Sequence, residues 1–352
     1  MSAFIPIQNI YYLLCYVWDK LEEGERVAVA AEDSTELVDL FAKVLIRACT
    51  PLLKRGIDRA YLQKSQELGA IKGKLLLSES LKRNLLEKQR AICQYDEFSP
   101  DVLTNRILVA TLQNLLQVPT LDKGLRRSIH HLLLKFPPLT PLQIRAKDFD
   151  LVHLHRNNCL YEFPLRVCRI IHDNLLPRET PGEFEFVDFR RDDVKMRMLF
   201  ERFLFQFYKR EQDQFRVRRE HIQWKMHPLD QESIPYLPRM ETDITLESEQ
   251  QKIIIDAKFY RKTLQRNFDT SKLRSNNLYQ LFAYLLNQEN PEDARSMRVR
   301  GILIYPSTEE EFNFRYSYRG HRIEVCTLDL NQHWRGIGGR LRAILAGDQP
   351  DR

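Results

Sequence analysis

The sequence predicts an α/β protein in two parts. A mixed α+β domain spans residues 1–183, and a domain with a central mixed sheet flanked by helices spans residues 184–352. Three observations carry this. The stretches 238–246 and 253–260 are rich in β-branched and aromatic residues, with a polar run from Glu247 to Lys252 between them, as in two strands joined by a tight turn. Helical patterns at 193–210 and 276–287 bracket that pair, and strand patterns follow at 300–305 and 324–328. Earlier, Pro137-Pro138-Leu139-Thr140-Pro141 is the strongest break, and 177–183 is a polar connector, so the boundary falls between Pro137 and Glu183.

A chain of 352 residues can bury two cores, and 43% hydrophobic with 29% charged residues describes a soluble globular protein. A net charge of +6 and a pI near 8.9 permit a polyanionic partner without demanding one. The six cysteines are scattered with no Cys-x-x-Cys, as in a reduced, cytoplasmic protein. The nine histidines show no ligand spacing, so no zinc site is expected. Gln8 and Asn9 interrupt the apolar N-terminal stretch, which reads as neither a signal peptide nor a membrane span. No Gly-x-x-x-x-Gly-Lys-Ser/Thr loop is present, so the chain is not expected to hydrolyse nucleotide itself.

Taken in order, residues 5–18 read as a buried segment leading into a helix. A helix follows over 36–53, with Thr50-Pro51 and Arg55-Gly56 expected to close it. Residues 61–78 hold two glycines in mixed polarity and read as an extended hairpin, either a sheet edge or a projecting element with Lys72 and Lys74 at its tip. A helix is expected at 81–89, a strand at 91–98, and helices at 101–118, 123–135 and 163–176. In the second part, 184–189 is extended, and the helix at 193–210 has a broad apolar surface and contains Glu201. A basic series, Arg261, Lys262, Arg266, Lys272 and Arg274, precedes the helix at 276–287 and suits phosphate contacts or a solvated loop. A terminal helix covers 333–346.

The candidate chemistry sits on the strand pair. A turn about Glu249 and Gln250 sets Asp243 opposite Asp256 and Glu241 opposite Lys258, with directly opposed Cβ atoms about 4.5–5.5 Å apart. One face then carries Glu241, Asp243, Asp256 and Lys258, while Ile244, Leu246, Ile253, Ile255 and Phe259 point into a core. Two carboxylates beside one ammonium suit a Mg²⁺-dependent phosphodiester hydrolase, because Mg²⁺ takes hard oxygen ligands and keeps several waters. Lys258 would orient the attacking water or meet charge growing on the phosphate. The competing picture is a surface hairpin with a Lys258–Glu241 ion pair and two solvated aspartates. The Ile253-Ile254-Ile255 run ending on Asp256-Ala257-Lys258 favours chemistry, since a buried strand seldom ends on charge for solubility. Gln280 and Tyr284, four apart, share a stripe of the following helix.

Asp, then Asp-x-Lys, then Gln-x-x-x-Tyr resembles the RecB-like branch of the PD-(D/E)xK nucleases. The resemblance implies that Gln280 and Tyr284 line the site and help to position the lysine strand or DNA, and that the helix carboxylate Glu201 is a candidate metal ligand. Further stretches are similar to the McrC family, the nuclease subunits of bacterial 5-methylcytosine-specific (type IV) restriction systems. They are Ile5-Pro-Ile-Gln-Asn-Ile-Tyr-Tyr-Leu-Leu, Gly69-Ala-Ile-Lys-Gly-Lys, Asp96-Glu-Phe with Asn105-Arg-Ile, Leu237-Pro-Arg-Met-Glu-Thr-Asp-Ile-Thr, Asp256-Ala-Lys-Phe-Tyr and Asn277-Leu-Tyr-Gln-Leu.

That resemblance implies an N-terminal part that inserts into a hexameric ring of an McrB-like AAA+ GTPase and stimulates it. It also implies a restriction-endonuclease-like C-terminal part that cuts double-stranded DNA carrying modified cytosine. GTP would be bound by the partner and Mg²⁺ by this chain. Residues 61–78 become the inserted element, and Asp243, Asp256 and Lys258 the catalytic residues. The sequence departs from the family at Lys74, where arginine is frequent, which loses the planar five-donor fork. The Pro-Asp pair is also missing, because Pro238 lies five residues before Asp243. Two alternatives stay open. A stand-alone repair nuclease is disfavoured by an N-terminal half without helicase or zinc motifs. A non-enzymatic activator of an NTPase could have lost the triad, which is present.

Overall fold

The computed structural model describes residues 5–19, 36–178, 180, 182–227, 229–260, 265–267, 270–307 and 312–347. It divides into two compact units, Ser34–Val187 and Met1–Asp33 with Asp188–Arg352. The division after Val187 lies close to the expected connector, but an unbroken first domain over 1–183 does not form. Helix α1 (Ile7–Trp18) belongs to the second unit, because its apolar surface is too broad to leave unpaired. Ile10 and Leu13 are fully buried, the rings of Tyr12 and Tyr16 meet Phe203 edge-on, and Asn9 donates to the carbonyls of Leu330 and Gln332.

In the unit 34–187, helix α2 (Leu37–Arg55) runs through Pro51 and ends at Gly56, whose φ is +94°. Pro51 does not terminate it as expected: so near the C-terminal end it removes one amide donor, and buried Leu52 holds the last turn in place. Strands β1 (Ala60–Leu68) and β2 (Lys74–Leu75), helix α3 (Leu77–Lys82) and strand β3 (Ala91–Ser99) follow. The expected hairpin within 61–78 is replaced by a three-stranded sheet, order β1-β3-β2, in which β3 pairs antiparallel with both others. Gly73, at φ +69°, lets the chain fold back onto β3, where a Cβ would lie 2.4 Å from the Gln94 carbonyl oxygen. The helix expected at 81–89 is α3 and a separate 3₁₀ turn, Leu86–Lys88.

A buried polar hub fixes the root of this sheet. Asn105 donates to the carbonyls of Asp58 and Pro100, just outside the ends of β1 and β3, and the Tyr161 hydroxyl donates to Asn105 Oδ1 at 2.5 Å. Helices α4 (Leu103–Leu116), α5 (Lys123–Leu133), α6 (Ala146–Asp150) and α7 (Glu162–Asn174) complete the unit with the strand pair β4 (Leu175–Pro177) and β5 (Phe184–Phe186).

The other unit continues with helix α8 (Asp193–Arg210), whose first turn is capped by the Asp192 carboxylate. The following strands are β6 (Arg216–Arg218), β7 (His221–Ile222), β8 (Met240–Glu241), β9 (Ile244–Glu247) and β10 (Lys252–Ala257). After the small hairpin β11 (Gln265–Asn267) and β12 (Thr270–Lys272) comes helix α9 (Ser275–Gln288). Strands β13 (Arg300–Ser307), β14 (Asn313–Tyr318) and β15 (His321–Asp329) and helix α10 (Trp334–Ala346) close the chain. The central six-stranded sheet is mixed, in the order β14-β15-β13-β10-β9-β6, with β10, β13 and β15 mutually parallel.

Helices cover both sides of this sheet. On one face Leu281 and Leu285 of α9 pack with Ile254, Leu303, Ile323 and Val325. Leu281 comes so close to Gly301 that a Cβ there would meet it at 3.0 Å. On the other face Phe200 of α8 meets Phe259, and the Tyr208 hydroxyl donates to the Leu341 carbonyl of α10. The sequence reading gave β10 one core face; both of its faces are buried, as a parallel strand between helix layers requires. Among the described residues no helix is long and apolar enough to cross a membrane.

Candidate active site

The β9–β10 register is the one expected from the turn at Glu249 and Gln250, with Lys252 opposite Glu247 and Ile255 opposite Ile244. Asp243 and Asp256 would be the next pair, but β9 begins at Ile244 and Asp243 stands on a bend. Its Oδ2 accepts the Ala257 amide at 2.8 Å, so the side chain takes the amide at the end of the ladder. This short bond is what brings the Asp243 carboxylate against the end of β10.

Asp256 is fully buried. Its Oδ1 accepts from Lys258 Nζ at 3.1 Å. Its Oδ2 lies 2.8 Å from the same nitrogen as an ion-pair contact, yet off the hydrogen-bond direction, so this oxygen has no hydrogen-bond partner. Lys258 Nζ also donates to Gln280 Oε1 at 2.9 Å. Gln280 Nε2 donates to the Tyr284 hydroxyl at 2.6 Å, which donates to the Glu241 carbonyl at 2.9 Å. One turn of α9 thus gives the ammonium a second acceptor besides Asp256. The fold brings Asp243, Asp256, Lys258, Gln280 and Tyr284 together. It does not form the Lys258–Glu241 pair: Glu241 is exposed on β8, whose partner is β7, with His221 Nε2 4.0 Å from its carboxylate.

Burial raises both aspartates. Asp256 is pushed up to about 7 by desolvation, with Asp243 and Glu201 adding repulsion and Lys258 opposing. Asp243 is raised by burial, against the Ala257 amide, Lys258, Arg219 and Arg197. Burial also lifts the Tyr284 hydroxyl to about 12, so it stays a neutral donor. Glu201 lies one step away on α8, raised by burial and by Asp243, and its Oε1 accepts from Arg219 Nη2 at 2.5 Å. Among the described residues no three His, Cys, Asp or Glu side chains are grouped closely enough to hold a metal ion. As the protein stands, Glu201 is paired with Arg219 and not grouped with the two aspartates. Asp243 and Asp256 alone still suit Mg²⁺, which takes one or two carboxylates and completes its shell with water and substrate phosphate. The Asp256 oxygen that accepts no hydrogen bond is a hard donor of that kind.

Two residues escaped the sequence reading. Asn277 is buried, and its amide donates to the Tyr305 hydroxyl at 2.8 Å while its carbonyl accepts from Tyr260 at 3.2 Å. Its position, one helical turn before Gln280 on the same side of α9, was an available signal. Arg219 had none, because it reaches Glu201 only through the fold. Of the basic series, Arg261 and Lys262 lie outside the described residues, Arg266 and Lys272 are placed by backbone on β11 and β12, and Arg274 lies 4.2 Å over the Tyr260 ring. In the other unit Lys72 is exposed, with its ammonium 4.0 Å over the Tyr95 ring, and Lys74 of β2 pairs with Gln94 of β3.

Comparison with known proteins adds to this geometry. A family model described as McrBC 5-methylcytosine restriction system component matches residues 8–306. The type IV methyl-directed restriction enzyme EcoKMcrBC of Escherichia coli strain K12 is 32% identical over 332 residues, 94% of each chain. Among solved structures, a half-complex from the tetradecameric assembly of Thermococcus gammatolerans McrB AAA+ hexamers with bound McrC shares the fold. The TM-score is 0.58 at 19% identity, covering 91% of this chain and 71% of that one.

Proposed function

We propose, from the premise that this chain belongs to the McrBC 5-methylcytosine restriction system component family, that it is the McrC-like subunit that cuts the DNA. On this reading residues 188–352 are a Mg²⁺-dependent endonuclease module of the PD-(D/E)xK kind, acting in the cytoplasm on double-stranded DNA with modified cytosine. The observation that carries it is the convergence of Asp243, Asp256 and Lys258 at the end of one buried strand, with Gln280 and Tyr284 holding the lysine.

Asp243 and Asp256 would hold the metal. A bound Mg²⁺ polarises the scissile phosphate and makes a water more acidic. The chain does the rest. Asp256 and Gln280 grip Lys258 from two sides, so its ammonium is aimed before substrate arrives and meets growing phosphate charge without reorganising. Tyr284, anchored on the Glu241 carbonyl, stops Gln280 from rotating away. The helices on both faces of the sheet keep bulk water from Asp256, which strengthens each of these contacts.

Residues 34–187 would engage an McrB-like AAA+ GTPase and stimulate it, with the β1-β3-β2 sheet as the inserted element and Lys72 and Lys74 on the contact surface. The firm root supplied by Asn105 and Tyr161 suits an element that bears load. The partner would bind GTP and read the modified base. The test is cleavage of methylated and unmethylated plasmid in Mg²⁺ by the chain alone and by the chain with the GTPase and GTP. Cutting confined to methylated DNA in the complete mixture supports the reading. Cutting by the chain alone, indifferent to GTP and methylation, replaces it with the stand-alone nuclease.

A further inference from the structure

The pair Arg219–Glu201 has no part in holding Lys258, yet it stands at the edge of the site. Arg218 is opposite Thr245 at the end of β6, and the Thr242 amide donates to the Glu220 carbonyl, so Arg219 lies between two contacts that flank Asp243. The Arg219 guanidinium donates to Glu201 Oε1 at 2.5 Å and lies 5.8 Å over the Phe205 ring, with 42% of its side chain exposed. Arg197, one turn before Glu201 on α8, adds positive charge on the same side, and both arginines act on Asp243 and on Glu201. Glu201 in turn repels both aspartates.

A third carboxylate is thus kept near two others by an arginine that solvent can reach. A guanidinium fork receives a carboxylate and a phosphodiester in the same planar geometry, so one can replace the other. We propose that Arg219 and Glu201 form an exchangeable latch: a backbone phosphate of bound DNA takes Arg219 from Glu201, and the freed carboxylate joins Asp243 and Asp256 as a third oxygen donor to the metal. This rests on the nuclease reading above. It makes DNA and metal binding mutually reinforcing, since each favours the arrangement that the other uses. No covalent bond is made or broken in the exchange, and charge balances: one anion leaves the guanidinium as another arrives.

The test uses the full chain and a short DNA duplex, first in EDTA, with binding followed by fluorescence anisotropy across a salt series. Arg219→Ala should weaken binding and lower the slope of log K against log salt by about one. Glu201→Gln should tighten metal-free binding, because the internal competitor for Arg219 has lost its charge. Calorimetry with Ca²⁺ then compares metal affinity with and without duplex. Wild type should bind Ca²⁺ more tightly with DNA, and Glu201→Gln should lose that gain.

An unchanged or weaker EDTA affinity in Glu201→Gln overturns the latch. So does an unchanged salt slope in Arg219→Ala, or a wild type with no measurable duplex binding at low salt. If Arg219→Ala fails to fold, Glu201→Gln decides alone, since it conserves shape and removes only charge. Failure of the latch is distinguishable from failure of the nuclease reading, because the latch is read without metal and the nuclease reading is read by wild-type cleavage.

Discussion

Strands β10 and β1 show two ways of presenting charge. In β10 the residues from Ile253 to Ala257 are buried, and the charges at its end, Asp256 and Lys258, are gripped by each other and by Gln280. In β1 most residues are exposed, and Lys64 meets Glu97 of β3 in open solvent. Buried charge is unfavourable unless partners offset the desolvation, and at Asp256 the Lys258 ammonium is that partner. Exposed pairs exchange readily for a partner's charges. The proposed division of labour rests on that difference, with chemistry at the first region and docking at the second.

The sharpest way to break that contrast is to disturb the buried charges. Asp256→Asn should reduce cleavage in the complete mixture by about 10²–10³-fold, the usual range for losing one preorganised electrostatic contact. Single-turnover cleavage rates would show it. Gln280→Ala and Tyr284→Phe act through Lys258, so each should lower the cleavage rate about 10-fold, the low end for losing an outer-shell partner. Their effect should fall on the rate constant and leave the DNA concentration for half-maximal rate nearly unchanged. Equal losses in DNA affinity would make them DNA contacts instead.

A subtler effect concerns stability. The folded Asp256 carboxyl, raised to about 7, binds its proton more tightly than the unfolded one near 3.9. Folding of the metal-free protein is therefore favoured at low pH and loses that contribution as pH rises from about 4 through about 7. Asp256→Asn should raise Tm in EDTA at pH 8, with the gain shrinking toward pH 5. Mg²⁺ should raise the Tm of wild type but not of this variant. The smallest expected change is at the exposed lysine: Lys72→Ala should barely move Tm yet reduce stimulation of the partner's GTP hydrolysis, measured by phosphate release.

Local pattern made much of this legible. The polar run 247–252 fixed the turn and with it the whole β9–β10 register, because one residue's slip would reverse every face. Helical spacing put Gln280 and Tyr284 on one stripe of a helix, and only the resemblance to RecB-like nucleases singled them out. What escaped was non-local or irregular. The partner of β1 is β3, across an intervening helix, and a run of exposed residues carries no trace of which strand it pairs with. Helix α1 packs with elements near residue 203 and residue 330, and an apolar helix face does not name its partner. The bend at Asp243 depends on its side chain taking the Ala257 amide, which strand propensity does not encode. The Arg219–Glu201 contact joins an exposed arginine to a half-buried helix glutamate 18 residues before it, a pairing that sequence does not encode.

The most direct measurement follows two signals in one reaction: the complete mixture of chain, GTPase partner, GTP, Mg²⁺ and methylated plasmid, with wild type or Lys258→Ala. The account predicts that Lys258→Ala keeps the GTP hydrolysis rate of wild type, which reports a folded and docked chain, and loses DNA cleavage. Cleavage at the wild-type rate by Lys258→Ala would contradict the account, because the chemistry would then lie elsewhere.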